Sequence, residues 1–213
     1  MLTAILTLLA ILSAFLYIRA EYYGPQYHIY LFKPLAMIFI LLIAIQGSAA
    51  TPFYKFAIIA GLICSIVGDT LLMPTIDRFI PGLIAFLIAH LFYITAFASG
   101  ISFGLSWSLV PLAIYGIAIY AILSPSLGQL KLPVATYIVV ILVMGWLAWE
   151  RWSQTGQNDA LLALLGAILF VISDSILAIH RFRGPYKLGR ALNLSTYFAA
   201  QCLIAGSVGA LVL

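Results

Sequence analysis

The chain has 213 residues, of which 65% are hydrophobic and 8% charged, and its mean hydropathy is +1.17. A soluble domain carries roughly 25% charged residues and about half apolar ones, so this composition leaves too little polar surface to face water. It excludes a soluble globular fold and indicates an integral membrane protein. The net charge of +4 is better explained by loop charges that orient the protein in a bilayer than by nucleic-acid binding.

Polar residues, proline and glycine divide the chain into eight apolar stretches. A membrane span needs about 20 residues to cross a hydrocarbon core about 30 Å thick. Runs this long and without alternation predict helices rather than barrel strands. We therefore predict one transmembrane domain, residues 1–213, built as an all-α bundle of about eight helices. The predicted spans are residues 2–18, 34–49, 54–73, 81–99, 107–123, 133–149, 160–179 and 191–212.

The first stretch lacks the basic leader of a cleaved signal peptide, so we predict that it is retained as the first helix. Cys64 and Cys202 lie inside apolar stretches and are interpreted as packing residues. The sequence holds no metal-binding pattern, glycine-rich phosphate loop or serine-hydrolase motif. We predict neither a metal nor a cofactor.

Basic residues are unequally divided between the two ends of the predicted bundle. The N-terminal end is called side A and the opposite end side B. Side A holds Lys55 and Arg151. Side B holds eight basic residues: Arg19, Lys33, Arg78, Lys131, Arg181, Arg183, Lys187 and Arg190. Because cytoplasmic loops are enriched in lysine and arginine, we predict that side B is cytoplasmic and that both termini lie outside, in the cytoplasmic membrane if the source is bacterial.

The two halves of the chain resemble each other. Residues 61–73 align without gaps with residues 166–178, at an offset of 105 residues, and the alignment pairs two glycines and two aspartates. With four predicted helices in each half, such a repeat is parallel rather than inverted.

The aligned aspartates, Asp69 and Asp174, are the strongest functional signal. Each lies about five residues from the side-B end of its predicted helix, on the order of 7 Å deep. Ionisable residues inside a span are costly and usually face a cavity or the bundle interior. We therefore predict that both carboxyl groups face one shared site. The alternative is that each caps a neighbouring helix or holds a structural hydrogen bond.

Polar side chains on two other helices point to the same region. The fourth predicted helix carries His90 and Tyr93 on one face, and the eighth carries Asn193, Tyr197 and Gln201. Because both helices begin at side B, we expect Asn193 and Tyr197 near the aspartates, with His90 and Gln201 deeper. An isolated histidine of this kind can equally be a hydrogen-bonded packing residue.

Lys33 precedes Pro34 at the predicted start of the second helix. A lysine at the mouth of the predicted site could bind the phosphate of a phospholipid headgroup. Arg78 lies at the same side and could also bind a headgroup. The alternative for either residue is that it only sets the topology.

These residues form a set of motifs that resembles the YhhN-like family, the lysoplasmalogenases, over residues 33–205. The resemblance implies an eight-helix enzyme that hydrolyses the vinyl ether bond of lysoplasmalogens (alkenyl glycerophosphoethanolamine or glycerophosphocholine). The products are a fatty aldehyde and a glycerophospho-alcohol. The shared motifs are Lys33-Pro34, Gly68-Asp69-Thr70-Leu71-Leu72, the fourth-helix set Gly82, Phe86, His90 and Tyr93, then Ser173-Asp174, and finally Tyr197 with Gln201.

The expected chemistry matches these residue types. A vinyl ether hydrolyses when an acid protonates its outer carbon, so one carboxylic acid and one carboxylate can divide the work, as in glycosidases. We predict Asp69 and Asp174 as catalytic, with a lysophospholipid and water as reactants. The residues predicted to bind substrate are Lys33, His90, Tyr93, Asn193, Tyr197 and Gln201.

Two other functions use paired intramembrane aspartates. The signature of intramembrane aspartyl proteases, Gly-x-Gly-Asp, is absent, because Ile66 stands where its first glycine belongs. A proton-coupled transporter or lipid-binding protein remains the alternative, although transporters more often place such groups at the midplane between inverted repeats.

Overall fold

The computed structural model describes residues 1–49, 51–73, 76–102, 104, 106–186 and 188–209. Within those residues the regular secondary structure is helical and contains no strand, which confirms the predicted all-α bundle. Two single-turn 3-10 helices, Ser124–Ser126 and Gly128–Leu130, join α5 to α6. The α-helices are α1 (Leu2–Tyr23), α2 (Gln26–Gln46), α3 (Pro52–Leu71), α4 (Phe79–Ala98), α5 (Leu109–Leu123), α6 (Lys131–Thr155), α7 (Asn158–Phe182) and α8 (Gly189–Gly206).

Seven of the helices within the described residues are long and apolar enough to cross a membrane, α5 together with the 3-10 turn that follows it. The chain is therefore a multi-pass membrane protein. α8 is long enough at 18 residues but is not among the seven, since polar residues such as Arg190 and Gln201 make it less apolar. Its role as an eighth span stays a prediction at this point.

The connection between α1 and α2 is shorter than the sequence predicts. The predicted loop at residues 19–33 is wrong, because α1 continues to Tyr23 and α2 begins at Gln26. Pro34 lies inside α2, where its missing N–H removes one helical hydrogen bond without ending the helix. Lys33 is therefore a helical residue and not part of a connection. Lys187, predicted for side B, lies outside the described residues.

The packing of the helices repeats when their numbers are shifted by four. α3 packs along α4, and α7 packs along α8; α2 contacts α3, and α6 contacts α7. Across the halves, α4 contacts α6 as α8 contacts α2. This arrangement agrees with the parallel four-helix repeat expected from the sequence.

The aligned glycines explain the close packing of two equivalent helix pairs. A Cβ atom built on Gly61 of α3 would lie 2.3 Å from the Tyr93 ring on α4. One built on Gly166 of α7 would lie 2.7 Å from Ile204 and 3.0 Å from the Ala200 carbonyl oxygen on α8. Small residues at these crossings let helices approach closely in lipid. The close approach brings the polar residues of α4 and α8 toward the aspartate-bearing helices.

Candidate active site

A polar cavity of about 370 Å³ lies at the side-B end of the bundle, and both Asp69 and Asp174 line it. The two carboxyl groups come from equivalent positions on α3 and α7. Three other predicted site residues line the same cavity: Lys33, Asn193 and Tyr197. The structure thus brings five of the eight predicted site residues together around one space.

Asp69 is held by a cation and a phenol. The ammonium of Lys33 lies 2.9 Å from Asp69 Oδ1, and the Tyr197 hydroxyl donates to Asp69 Oδ2 at 2.5 Å. The Lys33 and Asp69 side chains are 9% and 6% exposed, so this is a buried ion pair. We predicted Lys33 at the cavity mouth, but its ammonium lies inside, against the aspartate. A contact between Lys33 and a phosphate stays a prediction.

Two further predicted residues lie behind Tyr197. The Tyr93 hydroxyl donates to Gln201 Oε1 at 2.8 Å, and Gln201 Nε2 donates to the Tyr197 oxygen at 3.2 Å. Tyr93 and Gln201 are fully buried and do not line the polar cavity. They orient the tyrosine that binds Asp69, which makes them positioning residues.

Asp174 has different neighbours. The Tyr137 hydroxyl on α6 donates to Asp174 Oδ2. Among the described residues, no lysine or arginine lies within ion-pair distance of Asp174. Sequence reasoning missed Tyr137, although a usable signal exists. α6 begins at side B with Lys131, so a residue two turns further on reaches roughly the depth of the aspartates.

Asn193 and His90 differ in how well they match their predicted places. Asn193 lines the cavity and accepts a hydrogen bond from Ser173 Oγ through its side-chain oxygen at 2.7 Å. His90 does not line the cavity. Its ring is fully buried 4.7 Å from the Phe170 ring and 5.3 Å from the Tyr137 ring, measured between centroids. Neither ring nitrogen has a hydrogen-bond partner among the described residues, so its surroundings are those of an aromatic packing residue.

The mouth of the cavity carries two ion pairs. Arg190 pairs with Glu21, and Arg181 lies 3.4 Å from Asp77. The arginine side chains are about half exposed, at 52% and 46%. Glu21 also accepts a hydrogen bond from Tyr17 at 2.9 Å. The sequence drew attention to these arginines only as topology signals. Their pairing needs α1, α7, α8 and the connection between α3 and α4 to meet in three dimensions.

A second, apolar cavity of about 60 Å³ adjoins the polar one. Asp174 lines both cavities, and so do four apolar residues: Leu72, Phe79, Phe86 and Leu177. Asp174 is the one carboxyl group in the apolar lining within the described part of the chain. The aspartate therefore stands where a polar space meets an apolar one.

Metal ligands do not cluster in the described ranges, where no group of three histidine, cysteine, aspartate or glutamate residues could hold an ion. Cys64 and Cys202 are free thiols. The groups available for chemistry at the cavity are carboxyl, ammonium and phenol groups. Such a set can transfer protons and stabilise a positive charge.

Comparison with known proteins shows what the chain is similar to. The model of the YhhN family matches residues 28–208. The "Uncharacterized membrane protein YhhN" of Escherichia coli is 33% identical over 198 residues, which cover 92% of this chain and 95% of that protein. No solved structure matches the chain.

Relatives from animals carry the name of an enzyme. Human "Lysoplasmalogenase TMEM86A" is 37% identical over 153 residues, which cover 70% of this chain and 63% of the human protein. Human "Lysoplasmalogenase TMEM86B" is 34% identical over 145 residues, which cover 67% and 59%. With the family model covering most of its length and motifs from both halves placed around one cavity, the chain belongs to the YhhN family.

Proposed function

We propose that this protein is a membrane hydrolase that cleaves the vinyl ether bond of a lysoplasmalogen to a fatty aldehyde and a glycerophospho-alcohol. The observation that supports this most directly is the placement of Asp69 and Asp174 in one cavity, each with a different partner. The animal relatives named lysoplasmalogenases support the reaction class. The cavity lies at the end of the bundle, where the glycerol of a membrane lipid is found.

The reaction requires an acid and a water molecule. A carboxylic acid donates its proton to the outer vinyl carbon, and the electron pair of the double bond forms the new C–H bond. The inner carbon becomes an oxocarbenium ion, which water captures to give a hemiacetal. The hemiacetal hydroxyl loses its proton, the ether oxygen gains one, and the C–O bond breaks. The sum is vinyl ether plus water giving aldehyde plus alcohol.

The different partners of the two aspartates favour different roles for them. Asp69 lies against the Lys33 ammonium and accepts a hydrogen bond from Tyr197, so it is held as a carboxylate. Asp174 has a neutral phenol beside it, which suits the protonated acid. Asp174 gives the proton to the vinyl carbon and recovers one from the attacking water. The Asp69 carboxylate stabilises the oxocarbenium ion and orients the water.

The mouth of the cavity suits a zwitterionic headgroup. Arg181 and Arg190 carry the donors that bind a phosphate bidentately, and Glu21 and Asp77 offer a carboxylate to an ammonium. Because both side chains of the Arg181–Asp77 pair are about half exposed, a headgroup can replace one partner of that pair at modest cost. Lys33 pairs with Asp69 in this structure, and its predicted contact with the phosphate is a separate expectation.

The test is aldehyde release by purified protein from lyso-lipids that differ only in the bond at the first glycerol carbon. We expect hydrolysis of the vinyl ether and none of the saturated ether. Asp174→Asn should lower turnover by at least the 10²–10⁴-fold typical of acid–base catalysis. Asp159→Asn, at the other end of the same helix, is the matched control and should retain activity.

Full activity of folded Asp174→Asn protein would contradict the proposed mechanism. If the wild-type protein hydrolyses none of the lipids, the proposed function fails. Proton-coupled transport, which also uses buried carboxyl groups in a cavity, then becomes the leading candidate. It is measured by following internal pH in liposomes.

A further inference from the structure

The apolar cavity is walled by four helices and by the end of α3. Its lining comes from α4, α5, α6 and α7. Most of these side chains are half-buried rather than enclosed, so the cavity is open on one side. The residues that line it away from the polar cavity are Leu83, Tyr115, Ile119, Leu123, Val134, Tyr137, Ile138, Ile141, Leu142, Val171, Ser175, Ala178 and Phe182.

A departure from the internal repeat explains where this cavity opens. In the first half, α1 packs against α2 and also against α8. The equivalent helix, α5, packs against α6 and α7 but makes no comparable contact with α4 among the described residues. The residues of α5 that are buried are Gly116 and Leu123. The gap between α4 and α5 therefore connects the apolar cavity to the lipid side of the bundle.

We infer that the apolar cavity is the binding site for the hydrocarbon chain of the substrate, with Asp174 at its junction with the headgroup cavity. This inference rests on the proposed function. The occupant is the start of an alkenyl chain that enters sideways between α4 and α5. A cavity of about 60 Å³ holds the few carbons next to the double bond, and the rest of the chain lies in the lipid. A lyso-lipid has one polar end and one chain, and the two adjoining cavities have those same characters. Their shared wall is where the vinyl ether must lie.

The junction also explains the position of the acid. In a vinyl ether the carbon that accepts the proton is the one on the chain side, and the carbon that becomes positive is bonded to oxygen. Asp174 lines both cavities, whereas Asp69 lines only the polar one. The acid thus faces the chain side of the double bond, and the carboxylate faces the ether oxygen and the water.

Filling the cavity tests the inference. Ala178→Phe places a ring in the apolar space, and Ala178→Leu is the milder variant should the first fail to fold. The control is Ala118→Phe on the exposed face of α5. Burying one methylene strengthens binding about fourfold. If the new ring displaces two or three methylenes of the chain, KM for a long-chain vinyl ether lyso-lipid should rise by about tenfold or more. KM for a short-chain substrate whose chain ends at the vinyl group should change little.

Equal effects on long-chain and short-chain substrates, or equal effects of Ala178→Phe and Ala118→Phe, would overturn the inference. A second measurement does not depend on hydrolysis. A lysophosphatidylethanolamine with a photoreactive diazirine among the first carbons of its chain is cross-linked to the wild-type protein and mapped by mass spectrometry.

We expect the cross-links on the cavity faces of α5 and α6, near Ile119 and Ile138, and we expect Ala178→Phe to abolish them. An unchanged pattern in Ala178→Phe would refute the chain site even if the enzyme is active. Specific labelling without any hydrolysis would instead support the chain site and contradict the proposed reaction.

Discussion

Asp69 and Asp174 occupy equivalent positions in the repeat, yet the side chains beside them differ in charge. Lys33 of α2 contacts Asp69, and Tyr137 of α6 contacts Asp174. At the repeat offset of 105 residues, Lys33 falls one position from Tyr137. The same helix of each half therefore supplies the partner. In the proposed mechanism, the cation in one half suits a carboxylate at Asp69, and the neutral phenol in the other half suits an acid at Asp174.

This difference predicts unequal stability of two isosteric variants. Asp69→Asn leaves the buried Lys33 ammonium without its counter-charge, and breaking a buried pair costs about 3–5 kcal/mol. Asp174→Asn keeps an acceptor for the Tyr137 hydroxyl, so the loss should be about 1 kcal/mol or less. Thermal unfolding in detergent measures both. We expect Asp69→Asn to have the clearly lower Tm.

The double variant Lys33→Met with Asp69→Leu is the control for that assignment. It replaces the ion pair by apolar side chains of similar size, and such replacements are often neutral or stabilising. We expect it to recover much of the Tm lost in Asp69→Asn while remaining inactive. A Tm for Asp174→Asn as low as that of Asp69→Asn would show that the two aspartates do not differ in this way.

At the residue scale, the expected depth of a side chain in the membrane predicted which residues lie together. Counting turns from the side-B end was enough to place Asp69, Asp174 and Tyr197 around one cavity. The same counting could not separate His90 from the site. An apolar helix face does not reveal whether a histidine meets a polar group or the rings of Phe170 and its neighbours.

At the element scale, the eight helices were predictable because each is a long apolar run, but their ends were not. The run of residues from 19 to 33 is rich in tyrosine and charged groups, which the sequence alone presents as a loop. Helices extend beyond the hydrocarbon core, where water can solvate such side chains. Pro34 was misleading for a different reason: it suggests a helix start, but a helix in lipid tolerates an internal proline.

The close crossing of α7 and α8 depends on Gly166, which the repeat alignment pairs with Gly61. Gly166→Leu would push a side chain into Ile204 and the Ala200 carbonyl oxygen. Overpacking of this kind costs about 1–3 kcal/mol. Because α8 carries Tyr197, the variant should also lose activity. Gly104→Leu is the control, because a Cβ there meets nothing within 4 Å. Equal Tm values for the two variants, measured by thermal unfolding, would contradict close packing at Gly166.

At the scale of the whole molecule, the charge asymmetry between the two sides is stronger than a count suggests. The two basic residues of side A are occupied with helix ends. The Lys55 ammonium donates to the carbonyl oxygens of Ile45 and Gly47 at 2.6 and 2.8 Å. The Arg151 guanidinium donates to the Ser99 carbonyl oxygen at 2.6 Å. These cations compensate the partial negative charge at the C-terminal ends of α2 and α4. Both basic residues of side A therefore have a structural role, and they are weak evidence for a cytoplasmic side A.

The least apolar helix, α8, decides where the C-terminus lies. Its first turn is at side B, where Arg190 pairs with Glu21. Its last residues are at side A, where Ser207 shares a 2.7 Å hydrogen bond with Tyr54 near the start of α3. Eighteen residues cover about 27 Å, close to the thickness of the hydrocarbon core. The polar residues that lower its hydropathy face the cavity and the interior, so α8 can cross as an eighth span.

We therefore predict that both termini lie outside. In a bacterial host, a reporter that is active only outside the cytoplasm should be active when fused to the C-terminus. The same reporter inserted after Gly184, in the connection between α7 and α8, should be inactive. The physical reason is the excess of basic residues at side B combined with an even number of crossings. An inactive C-terminal fusion together with an active N-terminal one would mean that α8 does not cross, and it would contradict the predicted eighth span. If both terminal fusions are inactive and the Gly184 insertion is active, the orientation is reversed, and the headgroup cavity faces the outside.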